Sequence, residues 1–238
     1  MNSLRKTALV AGGFYLVTFI SIPTLALYGA VHSPDYVVGP GPDTGVLWGG
    51  LLEVIVALAG IGTAVALFPV VKRQNEGVAL GFVAARVLEA AVIFVGVVSL
   101  LSVVTLRQDP AGADAASLVP TGKALVAIHD GTFLLGQGLI PGVNALLLGS
   151  LMYRSRLVPR IIPAMGLIGA PLLLASVTAT FFGVYDQVSV WSGLATIPIA
   201  AWELSLGLWL VLKGFKPSPI TAGTTAAGTP PAYRDITV

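Results

Sequence analysis

The sequence predicts an all-α polytopic membrane bundle of six transmembrane helices, and three observations predict it. Hydrophobic residues make up 55% of the chain and charged residues 10%, whereas a soluble globular domain carries about 25% charged residues. Mean hydropathy is +0.90. The apolar residues come in blocks long enough to cross a hydrocarbon core, which takes about 20 residues of helix. The segments of about ten residues with alternating hydrophobicity that mark a membrane β-barrel do not occur.

Six blocks qualify, at roughly 8–31, 46–71, 78–104, 123–150, 161–183 and 194–212. Turn chemistry separates them at HSPDYVVGPGPDTG (32–45), KRQNEG (72–77), RQDPAGADAAS (107–117), YRSRLVPR (153–160) and YDQVSVWSG (185–193). The first block follows MNSLRK and ends in LYGA, which imitates a secretory signal with its cleavage site. Its apolar run of about 23 residues exceeds the 7–15 of a signal core, so it is read as an uncleaved first span. Pro23, Pro69, Pro141, Pro171 and Pro198 lie in or near spans. They either open backbone groups toward a cavity or reflect the general frequency of Pro in membrane helices. The spacings Gly45–Gly49, Gly60–Ala64 and Gly81–Ala85 read as close helix packing.

Short loops on the cytoplasmic side collect Lys and Arg. One set of loops and ends holds nine of them: Arg5, Lys6, Lys72, Arg73, Arg154, Arg156, Arg160, Lys213 and Lys216. The opposite set holds two, Arg107 and Lys123. The expected topology therefore has both termini in the cytoplasm. Residues 1–216 form the six-helix domain, and 217–238, rich in Pro, Gly and Thr without periodicity, read as a disordered cytoplasmic tail.

With no cysteine in the chain, disulfides, Fe–S clusters, thiolate nucleophiles and thiolate zinc sites are excluded. G-x-S-x-G, H-E-x-x-H and Walker loops are absent, and GQGLIPG (136–142) lies within a span, so it is no dinucleotide fingerprint. The basic residues are scattered over short loops, which speaks against a nucleic-acid partner. His129, Asp130, His32 and Glu53 are the one set with donors for a metal, but no metal and no cofactor is assigned. The expected partners are the bilayer and an apolar small-molecule or lipid substrate; the oligomeric state is open.

What remains are ionisable residues at depth. At about 1.5 Å rise per residue, Arg86, Glu89, Asn144 and Glu203 fall in one layer near the midplane. Glu53, His129, Asp130 and Gln137 form a second layer toward the outside. A central Arg or Asp costs about 2.5–3.5 kcal/mol to insert, and each Leu, Ile, Phe or Val returns about 0.3–0.6. Span 3 holds 16 such residues, enough to offset its two charges with no surplus. Arg86 and Glu89, three apart, share a helix face. As an internal pair they could merely set helix packing. One cation against Glu53, Glu89, Asp130 and Glu203, however, leaves spare acids, of which at least one is expected to hold a proton. Intramembrane ionisable residues are functional candidates by default.

The blocks LLEVIVALAGIGTAVALFPVVKR (51–73), ARVLEA (85–90), HDGTFLLG (129–136), NALLLGSLMYRSRLVPR (144–160) and WELSLGLWLVLKGF (202–215) resemble a bacterial integral membrane protein family catalogued as domain of unknown function 4386. The resemblance runs from about residue 5 to 215. It implies a six-span fold in a bacterial inner membrane and carries no activity. Glu53, Arg86, Glu89, His129, Asp130, Asn144 and Glu203 all lie in or beside its blocks.

The reading preferred from these residues is an intramembrane acid–base enzyme of cyclase or isomerase type, acting on a lipid-soluble, isoprenoid-like substrate. Glu203, Glu89, Glu53 and Asp130 are its candidate catalytic acids. Arg86, His129, Asn144, Trp202 and Gln137 are its candidate binding residues. Trp202, with Trp209, Phe133 and Phe181, would face a developing cation. A proton-coupled carrier using the same acids, and a non-catalytic lipid-binding or accessory protein, are the alternatives.

Overall fold

Side-chain caps mark the starts of three of the helices. The computed structural model describes residues 3–109, 112 and 114–222, and every regular element among them is helical. In chain order these are α1 (Ser3–Thr18), α2 (Thr24–Leu27), α3 (Thr44–Val71), α4 (Glu76–Gln108), α5 (Ala115–Phe133), α6 (Ile140–Ser155), α7 (Ile161–Phe181) and α8 (Val190–Leu212). Asn75 opens α4 by accepting from the Val78 N–H at 3.0 Å, and Asp114 does the same for Ser117 at the start of α5. Ser189 and Ser192 form a capping box at the head of α8. Each satisfies backbone donors that a helix start leaves open.

Six helical stretches are long and apolar enough to cross a membrane: Ser3–His32, Thr44–Val71, Glu76–Gln108, Ala116–Ser155, Ile161–Phe181 and Val190–Leu212. Consecutive spans pack on one another, and span 6 returns to span 1, so the six close into a ring. Span 1 and span 6 approach most closely at Gly12 and Gly207, where a methyl on Gly12 would stand 2.8 Å from the Gly207 carbonyl oxygen.

Two spans differ from expectation. Span 1, expected as one helix over 8–31, breaks after Thr18 into short 3-10 turns and the single turn of α2. Pro23 stands at the break, where it has no N–H to continue the ladder. The broken half packs chiefly on α3, and on α5, rather than on α8. Spans 1 and 6 therefore part in this half of the membrane. Span 4, expected at 123–150, runs from α5 through a π-helical turn (Leu134–Leu139) into α6. Pro141, in the first turn of α6, cannot donate to the carbonyl of Gln137 four residues back, and the widened turn accommodates that loss.

The chain ends meet on one face. Arg5 donates through Nη1 to the Leu210 carbonyl at 2.9 Å and through Nη2 to that of Val211 at 2.5 Å, closing the C-terminus of α8. Packing continues past residue 216: Ser218 and Thr221 are buried, and the Ser218 hydroxyl donates to the Ser155 carbonyl at 2.5 Å. The expected disordered tail thus contains a docked start at 217–222, and its remainder, 223–238, lies outside the described residues. On the other face Arg107 clamps the span 1–2 loop. It pairs with Asp43, donates to the Gly39 and Gly41 carbonyls, and lies 4.2 Å from the centre of the Tyr36 ring.

Gly49 is the tightest approach between the broken half of span 1 and α3. A Cβ there would lie 2.3 Å from Tyr28 Cε1. Replacing Gly49 with Val should lower thermal stability in detergent by about 1–3 kcal/mol, the usual cost of overpacking. Gly13→Ala, where a methyl meets nothing within 4 Å, should leave the unfolding temperature unchanged or slightly raised.

Candidate functional site

The ring encloses two polar clusters. In the first, Arg86 of α4 is 4% exposed and donates through Nη1 to Glu89 Oε2 at 2.9 Å and through Nη2 to Glu203 Oε1 at 2.9 Å. The first partner sits one turn away on the same helix. The second comes from α8, which is not packed on α4, so this ion pair reaches across the interior. The Asn144 amide of α6 donates to Glu89 Oε2 at 2.8 Å. Tyr15 of α1 and Phe82 of α4 flank the guanidinium, with ring centres 5.6 and 5.8 Å from Cζ. Gly60 of α3 completes the enclosure, since even a methyl there would touch Arg86 Cδ at 3.6 Å.

The second cluster is built on Glu53 of α3, 1% exposed. Tyr28 donates its hydroxyl to Glu53 Oε2 at 3.0 Å, and Gln137 of the π-helical turn donates to Oε1 at 2.6 Å. His129 Nε2 lies 3.6 Å from Glu53 Oε2, and its Nδ1 lies 3.4 Å from Asp130 Oδ1. Asp130 in turn meets His32 Nε2 at 3.0 Å, while His32 Nδ1 contacts the Tyr28 carbonyl at 2.9 Å. Both nitrogens of His32 thus face oxygen acceptors. A hydrogen bond to Asp130 requires a proton on that contact, carried by the imidazole or by the carboxyl group.

Three adjoining cavities join the clusters. The first, about 370 Å³, is walled by Leu25, Tyr28, His32, His129, Asp130 and Phe133, with the span 5–6 loop opposite. It shares Leu25, Phe133, Gln187 and Val188 with a predominantly apolar second cavity of about 360 Å³. That one shares Gln137, Leu173, Thr196 and Ala200 with a third of about 190 Å³, which holds Arg86, Glu89 and Glu203 in its wall. Every span contributes to the third cavity. Ile22, 68% exposed, and Ile197, 58% exposed, stand at the cavity walls where spans 1 and 6 part. The cleft therefore opens sideways, between spans 1 and 6, at the apolar outer surface of the bundle.

The two expected layers are present as physical neighbours: Arg86, Glu89, Asn144 and Glu203 in one, and Glu53, His129, Asp130 and Gln137 in the other. The expectation that Glu53 and Asp130 compete for Arg86 is overturned. Among the described residues Glu89 and Glu203 pair with it, and the other two acids sit at another depth with imidazole, phenol and amide partners. Glu53 lies behind Tyr28 and Gln137 and lines none of the three cavities. Asp130 is half-exposed rather than sealed. Trp202 is also displaced from its expected binding role: it is 1% exposed and packed against Gly166 of α7, outside the three cavity walls. Phe181 faces lipid at 66% exposure, and of the expected aromatics Phe133 reaches the cleft. Among the described residues, no three His, Cys, Asp or Glu side chains converge as metal ligands.

Tyr28, Tyr15 and Gln187 were not singled out from the sequence. With its amide oriented to suit its neighbours, Gln187 donates to the Asp130 carbonyl at 3.3 Å and accepts from the Leu134 N–H at 3.1 Å. Tyr28 carries a weak signal, since it lies four residues before His32 and opposite the Gly45–Gly49 pair. Tyr15 and Gln187 carry none, because their partners are far away in the chain.

The chain belongs to the family described as Domain of unknown function (DUF4386), which it matches over residues 10–214. No curated protein and no solved structure matches it. It is therefore an integral membrane protein of that family, with charged residues buried between its spans.

Removing Arg86 would leave Glu89 and Glu203 facing each other without their cation. Arg86→Leu should lose about 3–5 kcal/mol, the cost of stranding a buried charge, read as collapse of the monodisperse fraction and of the unfolding temperature in detergent. The triple variant Arg86→Leu/Glu89→Gln/Glu203→Gln should recover most of that loss.

Proposed function

We propose that the protein is an intramembrane acid–base enzyme that isomerises or cyclises a lipid-soluble substrate, with Asp130 and His129 moving the proton. The observation that carries this reading is the His129 imidazole held between the carboxyl groups of Asp130 and Glu53, beside a cavity that adjoins an apolar one. A group that can give and take a proton within reach of a bound substrate meets the geometric demand of general acid–base catalysis. Protonation of one alkene carbon places the cation on the next, and loss of a proton from a further carbon beside that cation restores the double bond, so the step balances without a co-reactant. Glu53, away from the cavity, is a positioning residue for His129. Glu203, Glu89 and Arg86 take a binding role, since their mutual pairing occupies the atoms that an acid would use. The face with nine Lys and Arg residues is read as cytoplasmic by the positive-inside rule, and the membrane as the inner membrane of a bacterium.

Purified protein in nanodiscs, supplied with bacterial lipid extract in heavy water, should place deuterium on carbon in one lipid fraction, read by mass spectrometry. Asp130→Asn and His129→Gln should each slow that incorporation by about 10²–10⁴-fold, the usual share of a general acid or base. Incorporation unchanged in both variants would remove them from the proton step.

A second reading, a proton-coupled carrier, is favoured by the relay from half-exposed His32 through Asp130 and His129 to buried Glu53. It predicts that proteoliposomes dissipate an imposed pH gradient when solute is added, and that Asp130→Asn abolishes the effect.

A further inference from the structure

The midplane cavity has two carboxylates and one guanidinium in its wall. Its polar wall groups are Arg86, Glu89, Glu203 and Gln137, with the hydroxyls of Thr18, Ser21 and Thr196. The hydroxyl protons are committed to backbone carbonyls: Thr18 to Tyr15, Ser21 to Thr18 and Thr196 to Ser192, at 2.7 to 3.0 Å. Arg86 donates one N–H from Nη1 and one from Nη2 to the two acids, and its Nε is enclosed without a partner. Gln137 gives an amide proton to Glu53.

The acceptors show the opposite pattern. Glu89 Oε1, Glu203 Oε2 and Gln137 Oε1 have no hydrogen-bond partner, yet none is among the fully enclosed atoms. All three residues line the cavity. Glu89 itself is 8% exposed, so its free oxygen is a buried polar group in the wall of that space. One guanidinium against two carboxylates also leaves a formal charge of −1 at depth. In an apolar setting such a charge is strongly unfavourable unless a proton or a cation meets it.

We propose that this cavity seats the protonated amine of a single-chain lipid-soluble amine, its N–H groups donating to Glu203 Oε2 and Glu89 Oε1, with the apolar chain running along the second cavity toward His129. This rests on the lipid-soluble-substrate reading above and narrows it to one head-group chemistry. An anionic head would meet two carboxylates and a single guanidinium already paired with both. An alcohol would satisfy one acceptor and leave the charge unmet.

The test is calorimetric titration of the full-length protein in nanodiscs with three probes of equal chain length: dodecylamine, dodecanol and dodecanoate. Dodecylamine should bind saturably and about tenfold or more tighter than dodecanol, as expected of a desolvated charge pair, and dodecanoate should not bind. Glu203→Gln should lower amine affinity by about tenfold and leave dodecanol binding within about twofold. Ala200→Phe, which fills the wall shared by the second and third cavities, should abolish amine binding without touching a charge. Equal affinity for amine and alcohol, or amine binding unchanged in Glu203→Gln, would overturn the amine proposal and leave the lipid-soluble reading standing. Absence of saturable binding by all three probes would overturn both.

Discussion

The guanidinium of Arg86 is the constraint around which the rest of the bundle is arranged. It stands in the first third of α4 and is buried there, so the fold must supply its partners. Glu89 comes from the same helix, Glu203 crosses the ring from α8, Asn144 reaches Glu89 from α6, and Tyr15 of α1 covers a ring-facing side. Gly60 of α3 lies against the same side chain. Five of the six spans are thus positioned by one cation, and two of them, α4 and α8, interact through it without being packed neighbours.

A second constraint is backbone geometry. The helical ladder of span 1 ends where Pro23 interrupts it, and the broken half follows α3 instead of α8. Tyr28 reaches Glu53 because Gly45 and Gly49 let that half lie against α3. On the far side, the π-helical turn before Pro141 carries Gln137 to the same carboxyl group. The departures from regular helix in spans 1 and 4 therefore meet at Glu53, and the cleft opens where span 1 leaves span 6. Irregular backbone at membrane depth is tolerated where it lines such a space.

The two clusters divide the chemistry. At the midplane, charges are paired and the spare oxygens are acceptors, which suits holding a ligand. Nearer the loop face, two imidazoles alternate with two carboxyl groups, which suits moving protons. A predominantly apolar cavity lies between them, so a single chain could contact both.

Six spans, the charge asymmetry between faces and the depth of each ionisable residue were legible in the sequence, because hydropathy and helical rise are local properties. The same counting placed Arg86, Glu89, Asn144 and Glu203 at one level, where the structure joins them. Counting depth leaves azimuth open: nothing local says which way a helix turns about its axis or which non-sequential spans face each other. Tertiary packing alone therefore decided that Arg86 takes Glu203 and leaves Glu53 and Asp130 to the histidines, and that Trp202 is core. It also decided that Tyr28 and Tyr15 join the clusters, and that spans 1 and 6 part to open a sideways cleft.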